Sequence, residues 1–352
     1  MGDKTRMMNL DAKIYVAGHR GLVGSAIVRE LREAGYKNLV LRTRAELNLA
    51  SEAAVRGFFA IERPEYVFLA AAKVGGILAN SRYPAEFIFQ NLSIQTNVVE
   101  SAYRTGVHRL LFLGSSCIYP KLAVQPMEES ALLSGPLEPT NRPYALAKIA
   151  GIEMCWAYNR QYGTRNLAVM PTNLYGPGDN YDSETSHVIP ALIRNLHECK
   201  INHRSEAVIW GTGRPRREFL YSDDLASACV FLMNLDKASF DSLVSSQSET
   251  PIVNVGYGKD QTILELAERI AQVVGFQGAL SFDSSKPDGA PQKLLDTSLL
   301  SSLGWHPQTP LRQGLEMAYE EFLATHAVSP VIKMTSSAGT RPPTFHRLAG
   351  PR

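Results

Sequence analysis

Tyr144 and Lys148 stand four residues apart at the start of an amphipathic run, a spacing that puts both side chains on one face of a helix. A phenol with a pKa of about 10 exchanges protons poorly at neutral pH unless its anion is stabilised. A neighbouring ammonium does this and can also hydrogen-bond the ribose of a nicotinamide. Upstream, LFLGSSCIYP ends an apolar run in small residues, which would bring Ser115 beside Tyr144 over one pocket. Gly18, Gly21 and Gly24 form a third group, spaced G-x-x-G-x-x-G between a strand-like and a helix-like segment. Glycines there let backbone N–H groups approach a pyrophosphate at the positive end of the helix. In many chains such glycines only pack a tight turn, and Y-x-x-x-K occurs by chance in helices. Here the three groups follow one another in the order that a nicotinamide-dependent oxidoreductase needs.

The stretch after the second strand-like segment, LRTRAEL, sets Arg42 and Arg44 where a carboxylate would bind an unphosphorylated ribose; Arg20 lies inside the glycine loop. Guanidinium groups suit a 2′-phosphate, whereas a carboxylate repels it. The bland alternative is a set of solvated surface arginines. NADPH/NADP+ is therefore the expected cofactor. Cys117, by type and setting alone, reads as a small buried residue, and His187 as a surface or capping residue ahead of a helix. Cys155, Cys199 and Cys229 read as structural.

The elements that must position these groups follow from periodicity. Strand-like runs at 13–17, 38–41, 66–70, 109–113 and 167–170 alternate with helical runs from Ser25, at 51–62, 87–104 and 143–162. Ser51 is suited to cap the second helix. Short apolar strands each followed by a helix predict an α/β fold, a Rossmann-type doubly wound parallel sheet with helices on both faces. Beyond Pro171 the pattern loosens, with helices at 188–197, 222–235 and 262–274 and short strands around the Gly-Pro turn of AVIWGTGRPRREFLYSDD. The expected organisation is an NADP-binding domain over 1–177 with returning segments near 220–257, and a smaller C-terminal α/β substrate lobe over 178–326. From 327 to 352 the chain has little apolar periodicity and no acidic residue, and a disordered tail is expected.

Composition excludes other classes. With 36 basic and 34 acidic side chains the net charge is +2, so no overall field favours nucleic acid or a membrane surface. No apolar run approaches the roughly 20 residues of a bilayer span. Four scattered cysteines make neither a disulfide framework nor a metal cluster, which fits a cytoplasmic location.

With Ser115, Tyr144 and Lys148 in this order, the chain resembles the extended short-chain dehydrogenase/reductases. The segments AGHRGLVGSAI, LAAAKVGGI, FLGSSCIYPK, EPTNRPYALAKIAG, MPTNLYGPGDN, SHVIPALIR, REFLYSDD and SKPDGAPQKLLD narrow the resemblance to the GDP-L-fucose synthase family, from about Lys13 to about Leu323. The resemblance implies NADPH-dependent epimerisation at C3 and C5 and reduction at C4 of GDP-4-keto-6-deoxy-D-mannose. It implies catalytic roles for Ser115, Tyr144, Lys148, Cys117 and His187, the last two as base and acid on opposite faces of the sugar. If the backbone stays extended, Cys117 and Ser115 point to the same side and Ser116 turns away; nearby positive charge would then lower the thiol pKa.

The resemblance also implies cofactor contacts from His19, Arg20, Leu22 and Val23 around the glycine loop and from Arg44, Asn48 and Leu49 beyond the second strand. Leu113, Gly114, Lys148, Pro171, Thr172, Asn173, Leu174 and His187 complete that set. Asn195, Trp210, Arg217, Asp288 and Lys293 take the positions that contact the nucleotide sugar. Bacterial members have a second basic residue where Asn195 stands, so the loss of one charge-assisted bond, about 1–2 kcal/mol, predicts weaker substrate affinity. A homodimer through the helices at 87–104 and 143–162 is implied by the same likeness. Two rival functions remain on the same scaffold: an NAD-dependent nucleotide-sugar 4-epimerase or dehydratase, and a catalytically inactive nucleotide-binding regulator.

Overall fold

The computed structural model describes residues 7–245 and 252–326, so the expected disordered tail lies outside the described residues. The first strand, β1 (Ile14–Ala17), is buried at every position, and the glycine loop leads from it into α1 (Leu22–Glu33). The chain steps to β2 (Leu39–Val40) on one edge of β1, then returns through α2 (Glu52–Glu62) to β3 (Tyr66–Leu69) on the other edge. The Ser51 hydroxyl accepts the Ala54 N–H at 3.4 Å and starts α2 where the sequence predicts. The short α3 (Ile77–Arg82), α4 (Pro84–Thr105), β4 (Arg109–Leu113), α5 (Arg142–Tyr162) and β5 (Asn166–Pro171) follow.

After β5 the chain leaves the sheet through β6 (Asn173–Tyr175), α6 (Val188–Ile201), β7 (Glu206–Trp210) and β8 (Arg216–Tyr221). It comes back through α7 (Ser222–Asn234), α8 (Lys237–Val244) and β9 (Ile252–Val255), which pairs with β5. The result is a six-stranded sheet in the order β2-β1-β3-β4-β5-β9 with every neighbouring pair parallel. The fold is the α/β Rossmann-type architecture that the alternation implies. Strand order reverses at β1, and ligands of such sheets bind at that reversal, beyond the carboxyl ends of the strands.

Alternation along each strand builds two cores. Ile14, Val16, Phe68, Leu111, Leu113, Leu167 and Val169 face α1, α7 and α8, while Tyr15, Val67, Leu69, Leu110, Phe112 and Ala168 face α2, α4 and α5. Each such side chain contributes about 1.5–3 kcal/mol on burial, so the strand ends that carry the site have little freedom to shift.

The remaining elements are β10 (Asp260–Thr262), α9 (Ile263–Val274), β11 (Ala279–Asp283), β12 (Gln292–Lys293), α10 (Ser298–Ser302) and α11 (Leu311–His326). A third core joins α6, α9 and α11 around Ile193, Leu196, Leu266, Ile270 and Leu315. The two strands of AVIWGTGRPRREFLYSDD both form but do not pair with each other. β7 pairs in parallel with β11, and β8 pairs with β6, β10 and β12.

Candidate active site

The glycine loop has the geometry of a phosphate cradle. Gly18 has φ 83°, and a Cβ there would stand 2.9 Å from the backbone of Ala71; a Cβ on Gly24 would stand 2.1 Å from the Gly18 carbonyl oxygen. Loop, strand and helix are packed too closely for any side chain. No side chain caps α1, so its first-turn N–H groups, including those of Leu22 and Val23, are open to an anion. The His19 Nδ1 atom is buried with no hydrogen-bond partner, and burial lowers the pKa of this imidazole.

Arg20, within the loop, and Arg44, beyond β2, are exposed and make no hydrogen bond or ion pair among the described residues. Arg42 departs from the expectation: it pairs with Glu62 at 2.5 Å and lies over the Phe58 ring. Its charge is neutralised from a residue on α2. Glu46, the acid of LRTRAEL, accepts the Thr43 N–H and hydroxyl at 2.7 and 2.8 Å. Asn48 caps the Ala50 N–H, and the Leu49 carbonyl accepts from Asn97. This donor set fits a phosphorylated dinucleotide.

Ser115, Cys117, Tyr144 and Lys148 meet at the end of β4. Ser115 is extended (φ −167°, ψ 145°), but the backbone then turns into a single 3-10 turn, Ser116–Ile118. The expected extended path through Cys117 is therefore wrong: the Ser115 hydroxyl accepts the Cys117 N–H at 3.4 Å and nucleates the turn. The thiol stays near the pair all the same: the Ser115 hydroxyl is close enough to both the Cys117 thiol and the Tyr144 phenol to lower the pKa of each. Burial raises the thiol pKa, opposed by Lys293, by Ser115 and by Lys148, so the cations moderate the shift without reversing it.

Lys148 is buried, donates to the Leu113 carbonyl at 2.6 Å, and has its ammonium 4.7 Å from the Phe112 ring centre and 5.8 Å from that of Tyr144. Burial lowers its pKa to about 8. Burial also raises the Tyr144 phenol, reinforced by charge on Cys117. The lowering expected from Lys148 does not appear: burial prevails, opposed by the Ser115 hydroxyl, and Tyr144 is a neutral proton donor. Gly114 continues the same strand end. Thr172 and Asn173, after Pro171, both donate to the Glu218 carbonyl at 3.2 and 2.8 Å, and Leu174 packs on the first core.

His187 is the N-cap of α6. Its side chain is open to solvent, and the protein around it nevertheless lowers its pKa by desolvation. It has no hydrogen-bond partner among the described residues. The substrate-lobe candidates fall into two groups. Arg217 and Lys293 are register partners on β8 and β12, and Lys293 acts electrostatically on Cys117. Arg217 donates to the Asp288 carbonyl at 3.0 Å, and burial lowers its pKa to about 10.

Trp210, Asp288 and Asn195 form the second group, along β7. Trp210 is 58% exposed, with the Lys286 ammonium 5.3 Å from its ring centre. Both Asp288 carboxylate oxygens are taken by Thr212, its N–H and its hydroxyl at 2.8 Å each, so this carboxylate shapes the turn after Trp210. The Asn195 amide donates to the Val208 carbonyl at 2.9 Å.

Two buried carboxylates near these residues escape a reading of the sequence. Glu218 is fully buried in β8 and accepts the Gly258 and Leu295 N–H groups at 2.6 and 3.1 Å, tying together three segments. Glu138, buried in EPTNRPY, accepts the Thr140 N–H at 2.9 Å and acts on both Arg217 and Lys293. A carboxylate inside an apolar stretch, REFLY, is the one signal that could have found Glu218.

Among the described residues no helix is long and apolar enough to cross a membrane, and no group of three or more His, Cys, Asp or Glu could hold a metal. A profile described as the NAD dependent epimerase/dehydratase family matches residues 14–245. The chain is 58% identical to GDP-L-fucose synthase 1 of Arabidopsis thaliana, over 90% of this chain and 95% of that one. It is 55% identical to GDP-L-fucose synthase of Escherichia coli K12, over 88% and 96%. A GDP-L-fucose synthetase from Naegleria fowleri bound to NADP, 27% identical, superposes with a TM-score of 0.82 over 93% of this chain and 99% of that one. The chain thus belongs to the NAD dependent epimerase/dehydratase family, among its GDP-L-fucose synthases.

Proposed function

We infer that this protein is an NADPH-dependent oxidoreductase with epimerase activity, which inverts C3 and C5 of GDP-4-keto-6-deoxy-D-mannose and reduces C4 to give GDP-L-fucose. The observation that carries the reading is the convergence of Ser115, Cys117, Tyr144 and Lys148 on one strand end beside the phosphate cradle. When bound, NADPH supplies the hydride for C4. Gly18, Gly21, Gly24 and the first turn of α1 would hold its pyrophosphate, with Arg20 and Arg44 on the 2′-phosphate and Lys148 on the nicotinamide ribose.

The C4 ketone acidifies the protons on C3 and C5. Cys117 as thiolate removes one of them, the electron pair moves onto the C4 oxygen, and hydrogen bonds from Ser115 and Tyr144 stabilise that enolate. His187 as imidazolium returns a proton to the opposite face, which completes the inversion. Burial disfavours both charged forms, so thiolate and imidazolium are minor species here, the first a stronger base and the second a stronger acid than usual. Once C4 accepts hydride, Tyr144 gives its proton to the oxygen. Arg217 and Lys293 are suited to the diphosphate, and the exposed Trp210 face to the base.

Exposed Phe89 on α4 and Leu146 on α5 support a homodimer through those helices, and four free, buried cysteines support a reducing cytoplasm. The free Arg20 and Arg44 argue against an enzyme that recycles bound NAD. Incubation with the keto-sugar and NADPH tests the reading: one NADPH consumed per GDP-L-fucose formed is expected. Turnover without NADPH loss would make it an epimerase or dehydratase, and binding without turnover a regulator.

A further inference from the structure

The segment that follows β3, AAAKVGG at 70–76, touches three parts of the molecule. At its start the Ala71 backbone lies against Gly18 of the phosphate loop. In its middle the Asn91 side chain on α4 holds the Lys73 N–H and carbonyl, each at 3.0 Å. Asn91 is buried and also donates to the Phe87 carbonyl, and the Phe87 ring meets the edge of Tyr144 at 6.2 Å. At its end, Gly76 donates its N–H to the Thr185 carbonyl at 3.2 Å.

The contact at Gly76 is unusually close. A Cβ there would stand 2.7 Å from the Ser186 carbonyl oxygen, one residue before His187. The Gly76 backbone, φ −65° and ψ −179°, is one that any residue adopts, so glycine is needed for its lack of a side chain and not for its dihedrals. The buried Asn80 side chain donates to the Gly75 and Gly76 carbonyls at 2.7 and 3.0 Å and keeps the segment on α3. A second tie joins Arg82 to Glu184 at 3.4 Å.

On its side the loop is folded around Asp182, whose Oδ1 accepts the Glu184 and Thr185 N–H groups at 3.0 Å each and the Thr185 hydroxyl at 2.8 Å. The loop ahead of His187 is thus preformed by its own hydrogen bonds. We propose that Gly76, helped by Arg82, is a positioning residue for the imidazole of His187. Its closeness to Ser186 fixes how far His187 stands from the sugar held at Tyr144. The proposal rests on the acid role inferred for His187. Displacement of an acid by even about 1 Å costs up to about a hundredfold in rate.

The test is formation of the C3/C5-inverted, deuterium-labelled sugar in heavy water. NADP+ replaces NADPH so that reduction is silent, and rates are normalised to NADP+-binding sites so that unfolded protein does not count. Gly76→Ala should lower the rate at least about tenfold with its NADP+ affinity unchanged, and Arg82→Ala by about two- to threefold. A Gly76→Ala rate within about twofold of the parent, while His187→Gln abolishes inversion, would overturn the proposal. A His187→Gln variant that still inverts would instead remove the acid role on which the proposal stands. Should Gly76→Ala fail to bind NADP+, Arg82→Ala decides, and a rate equal to the parent's overturns the proposal.

Discussion

The half built on the parallel sheet and the C-terminal part around β7, β8 and α9 hold their candidate groups by different means. In the first, Ser115 and Lys148 are fixed by a parallel sheet whose residues are buried on both faces; among the described residues the one hydrogen-bond acceptor of Lys148 is the Leu113 carbonyl. In the second, the strands are short and their register depends on carboxylates. Glu218 joins β8 to the Gly258 and Leu295 segments, Asp260 pairs with Arg216 at 2.8 Å and accepts from Gln292, and Asp288 fixes the turn after Trp210. Apolar packing is tolerant of chemistry but not of volume, whereas a buried hydrogen-bond hub fails when a single acceptor is lost. Changes in the first half should therefore act on chemistry or on the whole fold, and changes in the second on sugar binding.

The largest effect expected is that of Tyr144→Phe. Removing the proton donor while keeping the ring against Phe87 should lower kcat about a thousandfold, with NADPH affinity unchanged. Steady-state kinetics checks this, and a loss under about tenfold would transfer the proton to another group. Glu218→Ala comes next. It strands two buried N–H groups and should cost about 3 kcal/mol of stability, with KM for the sugar raised and the Kd for NADPH held within about twofold. Leu111→Ala should cost about 2–5 kcal/mol and leave both affinities alone in the folded fraction. If denaturant unfolding and binding showed the same split for both variants, the contrast between the halves would fail.

The legible parts of the molecule are those fixed by local spacing. Gly18 and Gly21 lead from strand to helix and Gly24 falls in the helix's first turn because they stand three positions apart, and Tyr144 and Lys148 share a face because they stand four apart. What sequence misjudged depends on partners far along the chain. Arg42 looks free until Glu62, on the next helix, neutralises it. β7 has a plain alternating pattern, yet its partner β11 begins at Ala279. Glu218 shows its purpose only through Gly258 and Leu295. Cys117 is a different case: one hydrogen bond to Ser115 diverts the backbone into a turn, and periodicity of a strand does not register so small an event.

Arg44 sharpens the comparison from the cofactor side. It is exposed and makes no hydrogen bond or ion pair among the described residues, so it loses little on binding a phosphate. A charge-assisted bond contributes about 1.5–3 kcal/mol, and Arg44→Ala should weaken NADPH about tenfold or more while leaving NADH unchanged. Fluorescence titration with both cofactors measures this. Equal weakening of the two would mean that Arg44 supports the fold and not the 2′-phosphate.

The smallest effect concerns the seam between the loop that carries His187 and α11. Asp179 on that loop has its Oδ2 buried with no hydrogen-bond partner, and so does the Oε2 of Glu321 on α11. Burial raises the Asp179 carboxyl from 3.8 to about 7, repulsion from Glu321 adds to this, and the Asn180 N–H opposes it. A carboxyl raised on folding holds its proton more tightly in the native state. The stability that this proton gives is fully present below the unfolded value of 3.8 and is lost as pH rises through about 7. Asp179→Asn removes the dependence, because an amide keeps the size and carries no charge. Thermal unfolding should show the variant about 1 kcal/mol more stable than the parent at about pH 8, with the gain shrinking towards about pH 5. A gain equal at both pH values would trace the effect to packing, and a loss at both would mean that Asp179 has a partner in the seam worth more than its desolvation costs.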